Sequence, residues 1–195
     1  RVVYQDFAKI NKAVANNSIK EQKTLIEAFE YAKSNNKQVH FIGLVSDGGI
    51  HSHEKHLYKL CEMANDFQIE KTFVHAFTDG RDCDPKSGKK SIENLENKLK
   101  HTSAKVASII GRYYAMDRDK RWERIKLAYD LLINGKGEKS TNLVSTIHES
   151  YENNITDEFL KPIVKTKEDG TPIATIQEKD VVICFNFRTD RCRQI

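Results

Sequence analysis

The sequence predicts an α/β protein, a three-layer α/β/α sandwich with a mainly parallel sheet, and three observations support this fold class. Short apolar runs rich in β-branched and aromatic residues occur at 38–45, 71–78, 105–110 and 180–185, and continuous runs of this kind are typical of strands buried on both faces of a parallel sheet. Longer segments between the runs carry apolar residues at helical spacing. The alternation of strands with helices favours right-handed βαβ units.

Length and charge narrow the range of functions. The chain has 195 residues, 38% of them hydrophobic, which suffices for one substantial core or two small ones. There are 32 Lys and Arg residues against 28 Asp and Glu, and this even mixture does not favour nucleic-acid binding. No apolar run approaches the roughly 18 residues that a membrane span needs, and no signal peptide is recognisable. These features predict a cytoplasmic protein that binds neither nucleic acid nor a membrane.

The four cysteines lie far apart in the sequence, at positions 61, 83, 184 and 192, and none belongs to a Cys-x-x-Cys pair. This spacing predicts a reducing compartment, without a disulfide framework and without a zinc site. Cys61 falls in a helical pattern and Cys184 in a strand pattern, so both are predicted to be small core residues.

Two helices are expected before the first strand. Apolar residues predict an amphipathic helix within 1–16, after a short extended start. Ser18 and Glu21 then match a capping box, which predicts that a second helix begins there and continues to about Asn36.

Three further helices are predicted between the strands. Two of them cover 52–65 and 86–101, and the inner face of the first is predicted to consist of Leu57, Leu60, Cys61 and Ala64. The third follows Gly111, has Asp117 or Asp119 as its cap, and ends at 134–135. Its predicted apolar stripe consists of Trp122, Ile125, Tyr129 and Leu132.

The pattern is weakest between 135 and 175. It predicts a loop at 135–140, a helix at 143–151, a shorter helix at 156–160, an extended piece within 159–164 and a turn at 169–170. The strand at 180–185 that follows is predicted to be buried.

A polar cluster follows each of the four apolar strands, at 46–53, 79–84, 111–118 and 186–191. Ligands of open α/β sheets bind outside the carboxyl ends of the strands. If the four strands are neighbours, their clusters share one cleft. The side chains expected to line it are His51, Arg81, Asp82, Arg112, Arg118, Arg188 and Arg191.

The composition of this predicted cleft indicates its chemistry. Five arginines and a histidine around one carboxylate suit a small polyanion, because the planar guanidinium donates two parallel hydrogen bonds to a carboxylate or phosphate. Asp82 is placed to move a proton on a substrate hydroxyl. Two alternatives stay open. Asp47, His51 and His53 with Asp79 or Asp82 match a divalent metal site of a phosphohydrolase, and the cleft also suits a non-catalytic anion-binding domain.

Other polar residues are expected to have structural roles. Asp47 and Asp79 are predicted to cap helices or to bind turn backbone. His53 and His56 lie at helical spacing and are predicted to be solvated. The two strand histidines, at positions 40 and 75, are predicted to be hydrogen-bonded core residues.

The motifs in the four clusters also resemble a known family. They are 44–53 (Leu-Val-Ser-Asp-Gly-Gly-Ile-His-Ser-His), 77–82 (Phe-Thr-Asp-Gly-Arg-Asp), 111–119 (Gly-Arg-Tyr-Tyr-Ala-Met-Asp-Arg-Asp) and 185–191 (Phe-Asn-Phe-Arg-Thr-Asp-Arg). In these motifs, and across almost its whole length, the sequence resembles the cofactor-independent phosphoglycerate mutases of the alkaline-phosphatase-like superfamily.

The resemblance implies a fold organisation and an activity. Enzymes of this family are glycolytic isomerases that interconvert 3-phosphoglycerate and 2-phosphoglycerate through a phosphoserine intermediate. They combine a phosphatase domain, which carries the serine and two divalent ions, usually Mn²⁺, with an inserted phosphotransferase domain. Residues 1–195 resemble only that insert, truncated before its last elements. We therefore expect no cofactor within this chain, an absent phosphatase domain as its partner, a monomer, and no activity of the chain alone.

The resemblance also implies roles for the cleft residues. The family's substrate-binding residues correspond to His51, Arg81, Asp82, Arg112, Arg118, Arg188 and Arg191. These would hold the carboxylate and phosphate of the phosphoglycerate while the phosphoryl group passes to and from the serine of the other domain. Asp82, with Arg81, would lie beside the acceptor hydroxyl and assist proton transfer.

Overall fold

A computed structural model describes residues 5–195 and contains a six-stranded sheet between two layers of helices. The strands are β1 (Val39–Val45), β2 (Thr72–Thr78), β3 (Ala104–Gly111), β4 (Glu138–Ser140), β5 (Ile163–Lys165) and β6 (Val181–Cys184). The helices are α1 (Asp6–Ala15), α2 (Lys23–Ser34), α3 (Glu54–Asp66), α4 (Gly88–Leu99), α5 (Arg112–Ala115), α6 (Trp122–Asn134) and α7 (Leu143–Glu152). The extended start predicted before α1 lies outside the described residues.

The sheet is mainly parallel, as predicted. Its strand order is β4-β5-β3-β2-β1-β6, so the four strands expected from the sequence are neighbours. Among the strand pairs within residues 5–195, only β3–β5 is antiparallel. Val45 pairs with Thr78, and Thr78 pairs with Gly111, so the last residues of β1, β2 and β3 lie side by side. The loops that follow these strands therefore leave the sheet at one edge.

A separate apolar core lies on each face of the sheet. One is formed by α2, α3, α4 and α7 against the sheet, and the other mainly by α5 and α6. The predicted inner face of α3 is confirmed, since Leu57, Leu60, Cys61 and Ala64 are all buried. A core on each face of the sheet confirms the predicted three-layer sandwich. Both cores stabilise it, since burial of one large apolar side chain contributes about 2 kcal/mol.

A chain of buried polar side chains runs across the sheet, from the residue before β6 to β3. His40 Nε2 lies 3.2 Å from Asp180 Oδ2, and His40 Nδ1 lies 3.0 Å from His75 Nε2. His75 Nδ1 in turn lies 2.7 Å from Ser108 Oγ. The prediction that both histidines are hydrogen-bonded core residues is confirmed. Burial lowers the pKa of His40, although Asp180 opposes the shift, and burial beside His40 lowers the pKa of His75 to about 3.

The strand at 180–185 differs from its prediction. It forms β6 at the end of the sheet, where it pairs only with β1, and Val182 is 44% exposed. An edge strand has a neighbouring strand on one side only. Its side chains can therefore remain partly exposed even though the run is apolar. Cys184 is exposed, contrary to its prediction as a core residue, whereas Cys61 is buried as predicted.

The predicted capping box at Ser18 and Glu21 is wrong. These residues form a short 3₁₀ turn, and α2 begins only at Lys23. Both the backbone N–H and the hydroxyl of Ser18 donate to Asn16 Oδ1. Asn side chains often bond nearby backbone in this way instead of allowing a helix to start.

The stripe predicted for α6 is half correct. The buried residues of the helix are Ile125, Ala128, Leu131 and Leu132, whereas Trp122 is 58% and Tyr129 is 51% exposed. The inward face is centred on the small residue Ala128, whose methyl group allows the helix to approach the sheet closely. Helical spacing alone did not distinguish this face from the neighbouring one that bears the aromatic residues.

Asp117 and Asp119 do not cap α6. The residue before the helix is Arg121, which makes no capping bond with its side chain. Asp117 Oδ2 instead accepts from the backbone N–H groups of Asp119 and Arg121. The Asp117 carboxylate thus stabilises the loop before α6. Its Oδ2 accepts from this loop and not from the first turn of the helix, as a cap would.

The weakly patterned third of the chain largely follows its prediction. The helix at 143–151 is α7, and the extended piece within 159–164 leads into β5. The predicted loop at 135–140 contains the short strand β4, which the sequence did not indicate because Glu138 and Lys139 are exposed and show no apolar alternation. Among residues 5–195, no helix is long and apolar enough to cross a membrane.

Candidate anion-binding site

The four polar clusters meet at the carboxyl edge of the sheet. Arg112 anchors this site, because it is the first residue after β3 and its side chain is buried. Its Nη1 lies 2.7 Å from Asp79 Oδ1 and 2.6 Å from Asp82 Oδ2. Burial alone would lower the pKa of Arg112, but the two carboxylates outweigh it and raise that pKa. A fixed positive charge therefore lies at the floor of the site.

Asp79 holds the loop that follows β2. Its Oδ1 accepts from the backbone N–H groups of Arg81 and Asp82, and its Oδ2 accepts from the Ser46 hydroxyl at 2.6 Å. Burial raises the pKa of Asp79, but these hydrogen bonds and Arg112 lower it by a larger amount. The pKa of Asp79 therefore lies below its ordinary value. The prediction that Asp79 binds turn backbone is confirmed, and the residue is in addition a partner of the buried arginine.

Gly80 lets this loop turn tightly. Its φ is +65°, a left-handed conformation that side chains disfavour. A Cβ at this position would lie 2.8 Å from the backbone nitrogen of Glu158. The glycine thus allows the Asp79–Asp84 segment to pack directly on the backbone of residues 157–158.

His51 faces the carboxylates from the β1 side. Its Nε2 lies 3.7 Å from Asp82 Oδ2, and its Nδ1 lies 4.0 Å from Asp190 Oδ1. Burial and the nearby Arg112 lower its pKa, and Asp82 only partly opposes this, so the imidazole is neutral at neutral pH. Its Nδ1 has no hydrogen-bond partner among the described residues. One buried imidazole nitrogen beside the carboxylates therefore makes no hydrogen bond to the described part of the chain.

Asp190 links two of the arginines. Its Oδ2 lies 3.0 Å from Arg118 Nη1, and its Oδ1 lies 3.0 Å from Arg188 Nε. Burial raises the pKa of Asp190, but Arg118 and Arg188 lower it below the ordinary value. The sequence predicts a single central carboxylate, Asp82. That expectation is wrong, because Asp79 and Asp190 belong to the same site. Asp190 lies between two predicted arginines in the 186–191 motif, and this position is the signal from which it could have been predicted.

Arg191 is the least compensated cation of the site. Its Nη1 donates to the carbonyl of Met116 at 3.1 Å, and its Nε has no partner among the described residues. Burial, together with the guanidiniums of Arg118, Arg112 and Arg81, lowers its pKa. Three other guanidiniums are thus close enough to Arg191 to repel it, and this repulsion favours binding of an anion beside Arg191.

Arg81 lies at the rim of the site. Its side chain is 56% exposed and its Nη1 is 3.7 Å from Glu158 Oε1. All seven predicted residues therefore lie at one edge of the sheet. Arg112, Asp82 and His51 form its floor, and the other predicted arginines surround it. Even with Glu158 included, the five guanidiniums outnumber the carboxylates that face them.

Asp157, which was not predicted from the sequence, holds the backbone next to the site through hydrogen bonds. It is fully buried. Its carboxylate accepts from the Tyr151 hydroxyl and, at 2.7 Å, from the backbone N–H of Gly88, and its carbonyl accepts from Thr78. Burial raises its pKa to about 6, although these hydrogen bonds oppose the shift. No motif surrounds it in the sequence, so only the fold indicates its role.

Not all residues of the alternative metal site come together, since His51 lies near Asp82 but Asp47 and His53 face elsewhere or have other roles. Asp47 is exposed, and His53 Nδ1 caps α3 by accepting from the backbone N–H of Lys55. Within residues 5–195, no group of three or more His, Cys, Asp or Glu side chains is arranged to hold a metal ion. The prediction that His56 is solvated is wrong. It is buried and lies 2.7 Å from Asn11 Oδ1, because α1 covers it.

The fold is that of an α/β domain, and the arginine-lined edge of its sheet is a candidate site for an anion. Residues 10–195 match the family model described as BPG-independent PGAM N-terminus, and the chain belongs to this family. The resemblance derived from its motifs is thereby confirmed.

Known proteins agree with this assignment. The chain is 64% identical, over its whole length, to a 2,3-bisphosphoglycerate-independent phosphoglycerate mutase of Flavobacterium psychrophilum and 48% identical to one of Clostridium perfringens. It spans only 39% and 38% of these two relatives. A crystal structure of Leishmania mexicana phosphoglycerate mutase at low cobalt concentration matches it with a TM-score of 0.92 at 28% identity, over 100% of this chain and 37% of that one.

Proposed function

We propose that this chain is the phosphotransferase domain, the substrate-binding part, of a 2,3-bisphosphoglycerate-independent phosphoglycerate mutase. Such an enzyme is a glycolytic, cytoplasmic isomerase that interconverts 3-phosphoglycerate and 2-phosphoglycerate through a phosphoserine. A phosphatase domain of the alkaline-phosphatase superfamily, encoded by further sequence, supplies the serine and two divalent ions, with Mn²⁺ the expected metal. The chain alone binds substrate but is inactive, and we expect it to be monomeric.

The observation that carries this proposal is the convergence of the guanidiniums around the buried Arg112. The carboxylate and the phosphate of a phosphoglycerate each match the planar fork of an arginine. Asp190 already pairs with Arg118 and Arg188, so a bound phosphate has to compete with this carboxylate. Arg191, whose Nε is unpaired, is the arginine that gains most from an incoming anion.

Asp82 is the proposed catalytic residue. Its Oδ2 accepts from Arg112 at 2.6 Å and lies 3.7 Å from His51. The buried arginine fixes the orientation of the carboxylate, which leaves its other oxygen free to take a proton from the substrate's hydroxyl and to return it when the phosphoryl group leaves. The neutral His51 adds a second group beside the same hydroxyl that can exchange a proton.

Calorimetric titration of the chain with 3-phosphoglycerate tests the proposal. Arg191→Ala should weaken binding about 10-fold to 100-fold, because a hydrogen bond to a charged group contributes about 1.5–3 kcal/mol. Arg193→Ala is the matched control, since this arginine is exposed and lies outside the site. Equal losses in the two variants would indicate non-specific attraction of anions, and the substrate-binding proposal would fail.

A further inference from the structure

Asn186 lies just beyond the point where the last strand leaves the sheet, and its side chain is buried. The pairing of β6 with β1 ends at Ile42 and Cys184. Beyond this point, Asn186 Oδ1 accepts from the backbone N–H of Leu44 at 2.9 Å. A Cβ on Gly43 would lie 2.7 Å from this oxygen, so the glycine leaves the space that the amide group of Asn186 occupies.

The amide nitrogen of Asn186 faces two other segments. Because Oδ1 is the acceptor for Leu44, Nδ2 is the end of the side chain that donates. It lies 3.1 Å from Cys192 Sγ and 4.0 Å from Met116 Sδ. Cys192 follows the 3₁₀ turn Thr189–Arg191, and its backbone N–H donates to the carbonyl of the first residue of that turn at 3.2 Å. One side chain thus connects the end of β1, this turn and the loop after α5.

The segments that Asn186 connects carry three arginines of the candidate site. Arg188 immediately precedes the 3₁₀ turn, Arg191 is its last residue, and Arg118 follows Met116 by two residues. Arg191 Nη1 also donates to the carbonyl of Met116 at 3.1 Å. The turn and the loop after α5 are therefore joined twice, once through Asn186 and once through Arg191.

We propose that Asn186 is a positioning residue, which holds the guanidiniums of Arg188, Arg191 and Arg118 at the spacing that an anion requires. It acts through these arginines and not on the anion itself. The backbone anchors only the start of the segment, where the N–H of Phe187 donates to the carbonyl of residue 51 at 2.9 Å. The turn behind this point depends on the Asn186 side chain. The effect on substrate binding rests on the proposed function, whereas the positioning of the turn does not.

Amide hydrogen exchange in the ligand-free chain tests the positioning directly. Asn186→Ala should speed exchange of the Leu44 and Cys192 amides about 10-fold, because the first loses its acceptor and the second lies in a turn that is no longer held. The amides of Arg81 and Asp82, which are bonded within the loop after β2, should change by less than about 2-fold. Uniform acceleration at all four amides, or an unchanged rate at Cys192, would overturn the proposal.

Two further variants separate positioning from a general loss of stability. Asn142→Ala is the matched control, since this exposed asparagine also accepts a backbone N–H, that of Ser145 at 3.2 Å, but at the start of α7. It should leave exchange at Leu44 and in the turn unchanged. Cys192→Ala is a milder change that removes only the sulfur facing Nδ2, so exchange should rise at the amide of residue 192 but not at Leu44. No change at residue 192 in this variant would contradict the proposed role of Asn186.

A double-mutant cycle, measured by calorimetric titration with 3-phosphoglycerate, tests the consequence for the site. Asn186→Ala should weaken binding about 10-fold in the unmodified chain and in Arg81→Ala. In Arg191→Ala it should weaken binding by less than about 3-fold, because one arginine through which Asn186 acts is already absent. Equal losses in the Arg81 and Arg191 backgrounds would contradict action through Arg191. Failure of the unmodified chain to bind 3-phosphoglycerate would overturn the proposed function instead, and the exchange rates would still decide whether Asn186 positions the turn.

Discussion

At the scale of single residues, the charge of Arg112 is the feature on which the site depends. One guanidinium nitrogen lies within 2.7 Å of both Asp79 and Asp82, and the arginine and Asp79 are both buried. Removing the cation would leave two neighbouring carboxylates without their partner, a buried charge imbalance that costs several kcal/mol.

We therefore expect Arg112→Ala to lower the free energy of unfolding by about 3 kcal/mol. Urea denaturation followed by circular dichroism measures this change. Arg118→Ala is the comparison, because that arginine is about half exposed and surface pairs contribute about 1 kcal/mol or less. Equal stabilities of the two variants would show that the Arg112 pair does not stabilise the folded chain.

Asp157 makes a second prediction at this scale. Its pKa is about 6 in the folded chain against an ordinary 3.8, so the unfolded chain ionises first as the pH rises. The stability that depends on this residue is complete below pH 3.8 and is lost as the pH rises through 6. The total is about 3 kcal/mol. Asp157→Asn does not titrate, so the difference in stability between this variant and the unmodified chain should change over that interval.

Urea midpoints measured from pH 4 to pH 7 for both proteins check this expectation. Asp169→Asn is a suitable control, because Asp169 is exposed and its pKa is lowered by its bonds to Thr171 rather than raised by burial. A constant difference between Asp157→Asn and the unmodified chain across the range would show that the Asp157 pKa is not raised.

At the scale of elements, the buried chain from Asp180 through His40 and His75 to Ser108 connects β1, β2 and β3 with the residue before β6. The pKa of His75 is about 3, far below the ordinary 6.5. The unfolded state therefore binds a proton first as the pH falls, and stability is lost from about pH 6.5 downwards.

His75→Gln should reduce this acid sensitivity, because glutamine keeps a hydrogen-bond donor and an acceptor but does not titrate. We expect the loss of stability between pH 6.5 and pH 4 to be smaller by about 3 kcal/mol than in the unmodified chain. His148→Gln, at an exposed position of α7, should leave the pH profile unchanged. Identical profiles of the His75 and His148 variants would mean that His75 does not resist protonation.

The elements also show what sequence patterns can and cannot predict. Continuous apolar runs identified the strands, since a parallel sheet covered on both faces needs them. The same signal could not separate the edge strand β6 from a central one, because edge position depends on which strands pair. Helical spacing found α6 but not its inward face, and the capping-box pattern at Ser18 was overridden by local bonds to Asn16.

At the scale of the whole molecule, the convergence of the predicted residues at one edge of the sheet was predictable because the strand order determines it. Once four strands run parallel and adjacent, their carboxyl ends meet, and so do the clusters that follow them. Asp190 was not predicted because a carboxylate between arginines is typical of an exposed ion pair. Asp157 was not predicted because it lies in a segment far from the site motifs in the sequence.

The central claim is that this edge of the sheet binds a phosphoglycerate. Titration of the metal-free chain with 3-phosphoglycerate, followed by amide chemical shifts, tests it most directly. We expect shifts that cluster at residues 51, 81–82, 112–118 and 188–191 and that saturate together. Shifts spread over the exposed lysines of the surface, with none at these positions, would contradict it.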